Sequence, residues 1–197
     1  MSGMAGTDRM GVSSPAVKLT YDDFVHFPDD GKRHELIDGE HCVTPSPNIR
    51  HQRILGSLHL VIGSWLEDHP IGQIFVAPLD VVLSPVDVVE PDLLYLSNER
   101  AGQVLTPLHA KGVPELLIEI ASRGTRRRDE TIKRRLYERA GISEYWIVDP
   151  EIDVIRVHRR DGEGFGRHVE LSREAGDVLT TPLLPGLELS LARIFRE

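Results

Sequence analysis

One carboxylate inside an apolar segment limits the possible folds of this chain more than any other feature of its sequence. Residues 114–121 (PELLIEIA) form a short apolar run, bounded by proline and by Ser-Arg-Gly, which predicts a buried strand. Glu119 lies inside this run, between Ile118 and Ile120. A carboxylate in such a position is destabilising unless it is paired with a cation or holds a metal ion. The sequence therefore predicts that other charged groups converge on Glu119.

The residues after this strand predict a crossover connection to a parallel neighbour. A helix is expected over 127–140, ended by Gly141, because glycine is common just past a helix C-terminus. Residues 144–148 are strand-like, and Asp149-Pro150 closes them as a turn. The order strand, helix, strand predicts two parallel strands in one sheet.

The rest of the pattern predicts short helices and antiparallel strands around this unit. The expected elements are, in chain order, a helix over 19–27 with Thr20 as its N-cap, a hairpin over 34–43, a helix over 49–67, strands over 72–83 and 88–96 paired as a hairpin, a loop over 98–111 with room for one helical turn, a hairpin over 154–171 and a helix at about 189–194. The spacing of His51, His59 and His69 matches no compact zinc motif, and we interpret them as surface or interface residues.

Composition limits the class of protein. A chain of 197 residues suits one domain, predicted over 18–197 after a flexible leader over 1–17 that lacks the apolar core of a secretory signal. No run of about 18 apolar residues is present, so no membrane span is expected. The single cysteine, Cys42, excludes an intramolecular disulfide and is consistent with the cytoplasm, where we expect the protein to be.

The net charge of -8 argues against a broad basic surface for nucleic acid, but the positive charge is unevenly spread. A solvated helix face and a local patch that faces phosphates are both open interpretations of the basic stretch that follows Glu119. Its members are Arg123, Arg126, Arg127, Arg128, Lys133, Arg134, Arg135 and Arg139.

Acids on neighbouring predicted strands point to a metal. Asp92 opens one strand, Glu119 lies in the next, and Asp80 lies within the strand before them. Carboxylates held this close repel each other unless a hard divalent cation lies between them, and Mg²⁺ or Mn²⁺ fits because both prefer oxygen ligands. Such a cation can polarise a phosphate and activate a water, as phosphodiester hydrolysis requires. A lysine is the expected third member, because it offsets developing negative charge.

Pro91-Asp92 and Glu119, in this order of elements, resemble the PD-(D/E)XK nuclease superfamily of restriction-endonuclease-like folds. More narrowly, the chain is similar to a widespread bacterial family within it, known as putative restriction endonucleases, whose function is largely unknown. The resemblance covers nearly the whole chain from about residue 18, and the matching pieces are HELIDGE at 34–40, PSP at 45–47 with His51, PELLIEIAS at 114–122, Asp129 with Lys133, Tyr137, Ala140-Gly141 and EYWIVDP at 144–150. It implies an α/β (α+β) fold, with a mixed β-sheet flanked by helices.

The resemblance also implies an Mg²⁺- or Mn²⁺-dependent endonuclease that acts on DNA, with Asp92 and Glu119 as metal ligands. The superfamily usually has a lysine two positions after the strand acid, where this chain has Ala121. Within the narrower family the lysine has moved to the following helix, which implies a catalytic role for Lys133.

Two of the implied site residues also have simpler interpretations. Asp129 and Lys133 are four residues apart and share a helix face, so they could form an ordinary surface ion pair. Glu35 matches a family acid that flanks the metal, and we include it among the catalytic residues. By sequence pattern alone, Glu35 would be an exposed acid on a strand.

Two other functional classes stay open at this stage. One is a nuclease-derived domain that binds nucleic acid or protein without cutting, and the other is an acidic interaction protein that binds no metal. One active site of this kind cuts one strand, so cleavage of a duplex predicts a homodimer. The predicted helix over 49–67 and the hairpin over 154–171 are the surfaces expected to be free for it, and Trp65 on that helix suits the core better than an interface.

Overall fold

The computed structural model describes residues 17–196, so the predicted leader lies outside the described residues except for Val17. The helices are α1 (Tyr21–Phe24), α2 (Ile49–Asp68), α3 (Asn98–Val104), α4 (Arg134–Ala140), which directly continues a π-helical segment (Arg128–Lys133), and α5 (Leu191–Ile194). The strands are β1 (Arg33–Ile37), β2 (Glu40–Thr44), β3 (Gly72–Val76), β4 (Val81–Ser84), β5 (Asp87–Val89), β6 (Leu93–Ser97), β7 (Ala110–Lys111), β8 (Leu116–Ile120), β9 (Glu144–Asp149), β10 (Val154–Asp161), β11 (Gly164–Phe165), β12 (Val169–Ser172), β13 (Val178–Leu179) and β14 (Leu189–Ser190).

The strands form two main sheets. A five-stranded sheet has the order β2-β1-β5-β4-β7, and a seven-stranded sheet has the order β11-β10-β9-β8-β6-β3, with β12 also paired to β10. β13 and β14 form a separate two-stranded ribbon. The predicted mixed sheet with helices on its faces is therefore confirmed, although the chain divides its strands between two main sheets.

The predicted crossover unit is confirmed. β8 and β9 pair in parallel, with Glu119 opposite Ile147, and the helical connection between them ends at Gly141 in the left-handed conformation (φ 93°). Glycine adopts this conformation without the strain that a Cβ would bring. The helix type differs from the prediction, because the first half of the connection is π-helical and only Arg134–Ala140 is α-helical.

The predicted antiparallel pairing of the strands over 72–83 and 88–96 is confirmed, but neither strand is continuous. Each predicted strand breaks in the middle, so that β3 pairs with β6 in the large sheet while β4 pairs with β5 in the small one. Pro78 and Pro91 lie in the two breaks, and proline cannot donate a hydrogen bond to a strand ladder. Asp80 therefore lies in the connection between β3 and β4 rather than inside a strand. Asp92 lies where the chain passes from one sheet to the other.

The stretch over 98–111, predicted as a loop with room for one helical turn, has more regular structure than expected. It contains α3, whose N-cap Ser97 accepts a hydrogen bond from the backbone N–H of Arg100, followed by the short strand β7. A serine before a polar turn was the signal for this helix start, because serine is a favoured N-cap.

Two apolar cores lie on opposite faces of the large sheet. α2 and α5 cover one face, which presents Leu116, Ile118 and Ile120 of β8. The helix α4 covers the other face, which presents Leu117 and the following Ala121. Because side chains alternate along a strand, Glu119 points to the α4 side. None of the helices in residues 17–196 has both the length and the apolarity needed to cross a membrane.

Candidate active site

The implied site residues come together at the junction of the two main sheets. Asp92, Glu119 and Lys133 line one cleft of about 440 Å³. Asp92 lies one residue beyond the antiparallel pair Leu93–Ile118, which places it opposite Glu119. The two carboxylates thus lie on neighbouring strands of the large sheet.

Lys133 joins the acids of the two sheets. Its ammonium Nζ lies 2.8 Å from Oε1 of Glu119 on β8 and 2.8 Å from Oε1 of Glu35 on β1. Its side chain is 3% exposed. Burial alone would lower the pKa of Lys133, but the charges of Glu119, Glu35 and Asp129 raise it instead. The ammonium is therefore held in its charged form.

Asp92 is held by donors on both of its oxygens. Oδ1 accepts a hydrogen bond from Nη1 of Arg33 at 2.8 Å. Oδ2 accepts from the backbone N–H of Ile120 at 2.8 Å and from Nε2 of His51 at 3.1 Å. Burial would raise the pKa of Asp92, but the hydrogen bond and charge of His51 and the charge of Arg33 lower it to about 2. Asp92 is thus a permanent carboxylate in a fixed orientation.

Glu119 keeps one oxygen free of protein partners. Oε1 accepts hydrogen bonds from Lys133 Nζ and from the hydroxyl of Tyr137, both at 2.8 Å. Within the described residues Oε2 accepts none. Burial raises the pKa of Glu119 to about 8; the charge of Lys133 opposes the rise, and the nearby carboxylates of Asp129 and Asp92 add to it.

Glu35 is not the exposed strand acid that the sequence pattern alone suggests. It is 1% exposed, and its Oε1 accepts a hydrogen bond from the backbone N–H of Glu90 at 3.0 Å besides its contact with Lys133. Burial would raise the pKa of Glu35, but the charge of Lys133 lowers it. Of the two carboxylates that share Lys133, Glu35 is therefore the charged partner, while Glu119 takes up a proton more readily. Glu35 lies behind Lys133 and does not line the cleft.

The interpretation of Asp129 and Lys133 as a surface ion pair is wrong. Both residues are 2% exposed, and Lys133 contacts Glu35 and Glu119 instead. Asp129 also lines the cleft, and burial raises its pKa to about 6. The π-helical segment carries both residues on its buried side.

The basic stretch fits neither of its two interpretations alone. Arg123, Arg128 and Lys133 line the cleft, which agrees with a phosphate-facing patch. Arg127 and Arg135 are exposed on the helix surface, which agrees with a solvated face.

The sequence analysis did not assign three further residues to the site. His51 was interpreted as a surface residue, but it is 5% exposed and bonds to Asp92. Arg33 pairs with Asp92 from β1, and Glu90 lines the cleft with its pKa raised by burial to about 7. Of these three residues, only His51 had a signal in the sequence, because the PSP segment followed by His51 is part of the family resemblance.

The donor set fits a hard divalent cation. Within the described residues no three His, Cys, Asp or Glu side chains surround a common metal position. Mg²⁺ does not need such a cage, since it is usually held by one or two carboxylates, with waters and substrate phosphates as its other ligands. Asp92 offers a permanently charged carboxylate and Glu119 offers a free Oε2. Burial is the largest cause of the raised pKa of Glu119, and the neighbouring carboxylates of Asp129 and Asp92 add to it.

The combination of a mixed sheet, crossing helices and a carboxylate–lysine cleft defines a fold of the nuclease type. The structure is similar to the crystal structure of a putative nuclease belonging to DUF820 from Anabaena variabilis, with a TM-score of 0.76 and 21% sequence identity over 90% of this chain and 97% of that one. The model of the Uma2 family, described as putative restriction endonuclease, matches residues 21–192, and the chain belongs to this family. No curated protein matches the chain. The family resemblance seen in the sequence is thereby confirmed.

Proposed function

We propose that this protein is a metal-dependent endonuclease that hydrolyses phosphodiester bonds of DNA. One observation carries the proposal. The buried ammonium of Lys133 lies 2.8 Å from a carboxylate oxygen of Glu119, in a cleft that Asp92 also lines. Membership of a family described as restriction endonucleases supports DNA as the substrate.

In this proposal Asp92 and Glu119 hold Mg²⁺ or Mn²⁺. When bound, such a cation neutralises charge on the phosphate and lowers the pKa of a coordinated water. Arg33, His51 and the backbone N–H of Ile120 fix the orientation of Asp92. These donors keep the Asp92 carboxylate ionised whether or not a cation is bound.

Lys133 acts as a charged donor and not as a base, because its raised pKa keeps the proton on Nζ. An ammonium has three N–H groups, and two of them point to Glu35 and Glu119. The third is left for the attacking water or for a phosphate oxygen that gains negative charge as the bond breaks. Glu35 positions Lys133, and the Tyr137 hydroxyl positions Glu119.

Cleavage by the Asp92→Asn variant tests the proposal. With Mg²⁺ or Mn²⁺, the wild-type protein is expected to cut at least one of supercoiled plasmid, linear duplex and single-stranded DNA, with RNA as a comparison. Asp92→Asn should reduce the rate by a factor of at least about 100, because several kcal/mol of metal-derived stabilisation is lost. Asp161→Asn, at an exposed acid outside the cleft, is the matched control.

Two results would contradict the proposal. One is equal cleavage by wild type and Asp92→Asn, which would point to a contaminating nuclease. The other is DNA binding without cleavage under any of these conditions, which would favour the alternative of a nuclease-fold domain that only binds.

We also propose that the protein acts on duplexes as a homodimer. The first turn of α2 is not available for this contact, contrary to the expectation from sequence, because His51 there bonds to Asp92. Trp65 packs partly buried against the core and stacks on His69, with ring centroids 4.1 Å apart. Beyond that first turn, where Ile49 is also exposed, α2 leaves the exposed apolar residue Leu60 for a partner. Sedimentation at micromolar concentration should give twice 22.1 kDa, and a species of 22.1 kDa alone would contradict the dimer.

A further inference from the structure

A second cleft, of about 410 Å³, lies beyond the helical connection and shares no lining residue with the active-site cleft. Its walls come from the π-helical segment, α4, β9, β10 and the turn before β12. The charged or titratable residues that line it are Glu130, Arg134, Arg156, His158, Arg167 and His168. Three of these residues are arginines and one is a carboxylate, while Glu138, Glu170 and Asp149 contact the arginines from outside the lining of the cleft.

The arginines of this cleft keep N–H groups that have no protein acceptor. Arg156 donates from Nε to Glu170 and from Nη1 to Glu130, both at 2.9 Å, but its Nη2 has no partner within the described residues. Arg134 has only a long contact of 3.5 Å with Glu138. Arg167 makes no ion pair with any described residue. The cleft thus holds more donors than its own carboxylates accept.

His158 adds a buried polar group without a partner. The residue is 6% exposed, and neither ring nitrogen makes a hydrogen bond within the described residues. Burial lowers the pKa of His158 to about 4; His168, Arg134 and Arg156 contribute to the decrease, and the charge of Glu138 opposes it. The ring is therefore neutral at pH 7 and can donate one N–H into the cleft.

A row of ion pairs connects this cleft with the active site. Asp149 lies between Arg156, 3.8 Å away, and Arg126, 2.6 Å away. Arg126 and Arg123 both contact Glu151, and Arg123 and Glu151 line the active-site cleft. Arginine and acidic side chains therefore alternate from one cleft to the other, through the buried Asp149.

We propose that the second cleft binds a phosphate group. Guanidinium groups bind phosphate oxygens through paired, charge-assisted hydrogen bonds, and the unpaired N–H groups of Arg134, Arg156 and Arg167 meet this requirement. Because the row of ion pairs leads to the active-site cleft, we assign the phosphate to the backbone of the nucleic acid that occupies the active site. This assignment of the source rests on the proposed function, whereas phosphate binding itself does not. A free phosphate has the same chemistry, and the experiment separates the two sources.

The test uses the full chain in EDTA, so that metal binding does not contribute. Calorimetry would measure the affinity for inorganic phosphate and for a short single-stranded DNA oligonucleotide. In an Arg134→Gln/Arg167→Gln variant both affinities should fall at least about fivefold, because charge-assisted hydrogen bonds are lost. Glu130→Gln should raise both, since it removes the competing carboxylate. Arg135→Gln, at an exposed arginine of the same helix outside the cleft, should change neither.

Unchanged phosphate affinity in the double variant, or an equal loss in Arg135→Gln, would overturn the site. Weaker phosphate binding with unchanged oligonucleotide binding would overturn the backbone source and assign the cleft to a free phosphate. Circular dichroism and metal-induced stabilisation check that the double variant folds. The Asp92→Asn cleavage experiment decides the proposed function separately, so failure of one proposal is distinguished from failure of the other.

Discussion

Replacing Lys133 by methionine is expected to destabilise the metal-free protein by about 3–5 kcal/mol, the usual effect of removing one partner from a buried ion pair. Methionine keeps most of the volume of the side chain but leaves Glu35 and Glu119 without their shared cation. Thermal or urea unfolding at pH 8 measures the loss. The loss of stability should be smaller at pH 5. Without a cation, burial raises the pKa of both carboxyl groups above the ordinary value of about 4.3, so their protonated forms are favoured at low pH. As pH rises these groups ionise without a partner, and the variant loses stability.

A double variant sharpens this prediction. Lys133→Met/Glu35→Gln removes the ammonium together with its charged partner, and it should recover part of the stability lost in Lys133→Met. Lys111→Met, at an exposed lysine, is the matched control and should stay within about 0.5 kcal/mol of the wild type. A loss below about 1 kcal/mol in Lys133→Met at pH 8 would show that the ammonium does not hold the two carboxylates together.

Mg²⁺ or Mn²⁺ is expected to stabilise the wild-type protein, and Glu119→Gln should remove this effect. A ligand that binds only the folded state at about 100 times its Kd adds about 2.7 kcal/mol. The metal-free variant should be at least as stable as the wild type at pH 8. The pKa of Glu119 is raised to about 8, so its contribution to stability is present below about pH 4.3 and is lost as pH rises toward 8. Glutamine keeps the shape without that loss.

Scanning calorimetry of wild type and variant, with and without metal, measures both effects. Glu40→Gln, at an exposed acid on β2, controls for the loss of one negative charge and should keep the full metal effect. Equal stabilisation by metal in Glu119→Gln would mean that this carboxylate is not a ligand.

The unit around Glu119 could be predicted because its signals are local. An apolar run bounded by proline, a helix ended by glycine and a second run closed by Asp149-Pro150 require only neighbouring residues to be interpreted. The parallel pairing followed from the order of elements, since a crossover needs a connection of this length. The short helix after Thr20 is local in the same sense, and its capping box is present.

The errors share a physical cause. The strands over 72–83 and 88–96 pair with each other as predicted, but their apolar pattern suits continuous strands and shorter strands that lie in two different sheets equally well. The point at which a strand passes from one sheet to another depends on which neighbouring strand offers free N–H and C=O groups. The identity of that neighbour is decided by contacts between residues that are distant in the sequence. Pro78 and Pro91 were the only local signs of the breaks.

The sequence by itself determined that a carboxylate lies in a buried strand and that a basic helix follows it. Only the tertiary structure decided which groups meet that carboxylate. Lys133 reaches Glu119 because the π-helical segment turns its buried side to β8, and His51 reaches Asp92 across 41 residues of chain. The periodicity of apolar residues indicates which side of a helix or strand is buried, because each residue's own polarity favours or disfavours its burial. The same periodicity does not indicate what the buried side packs against, because a contact between distant residues depends on the positions of both elements.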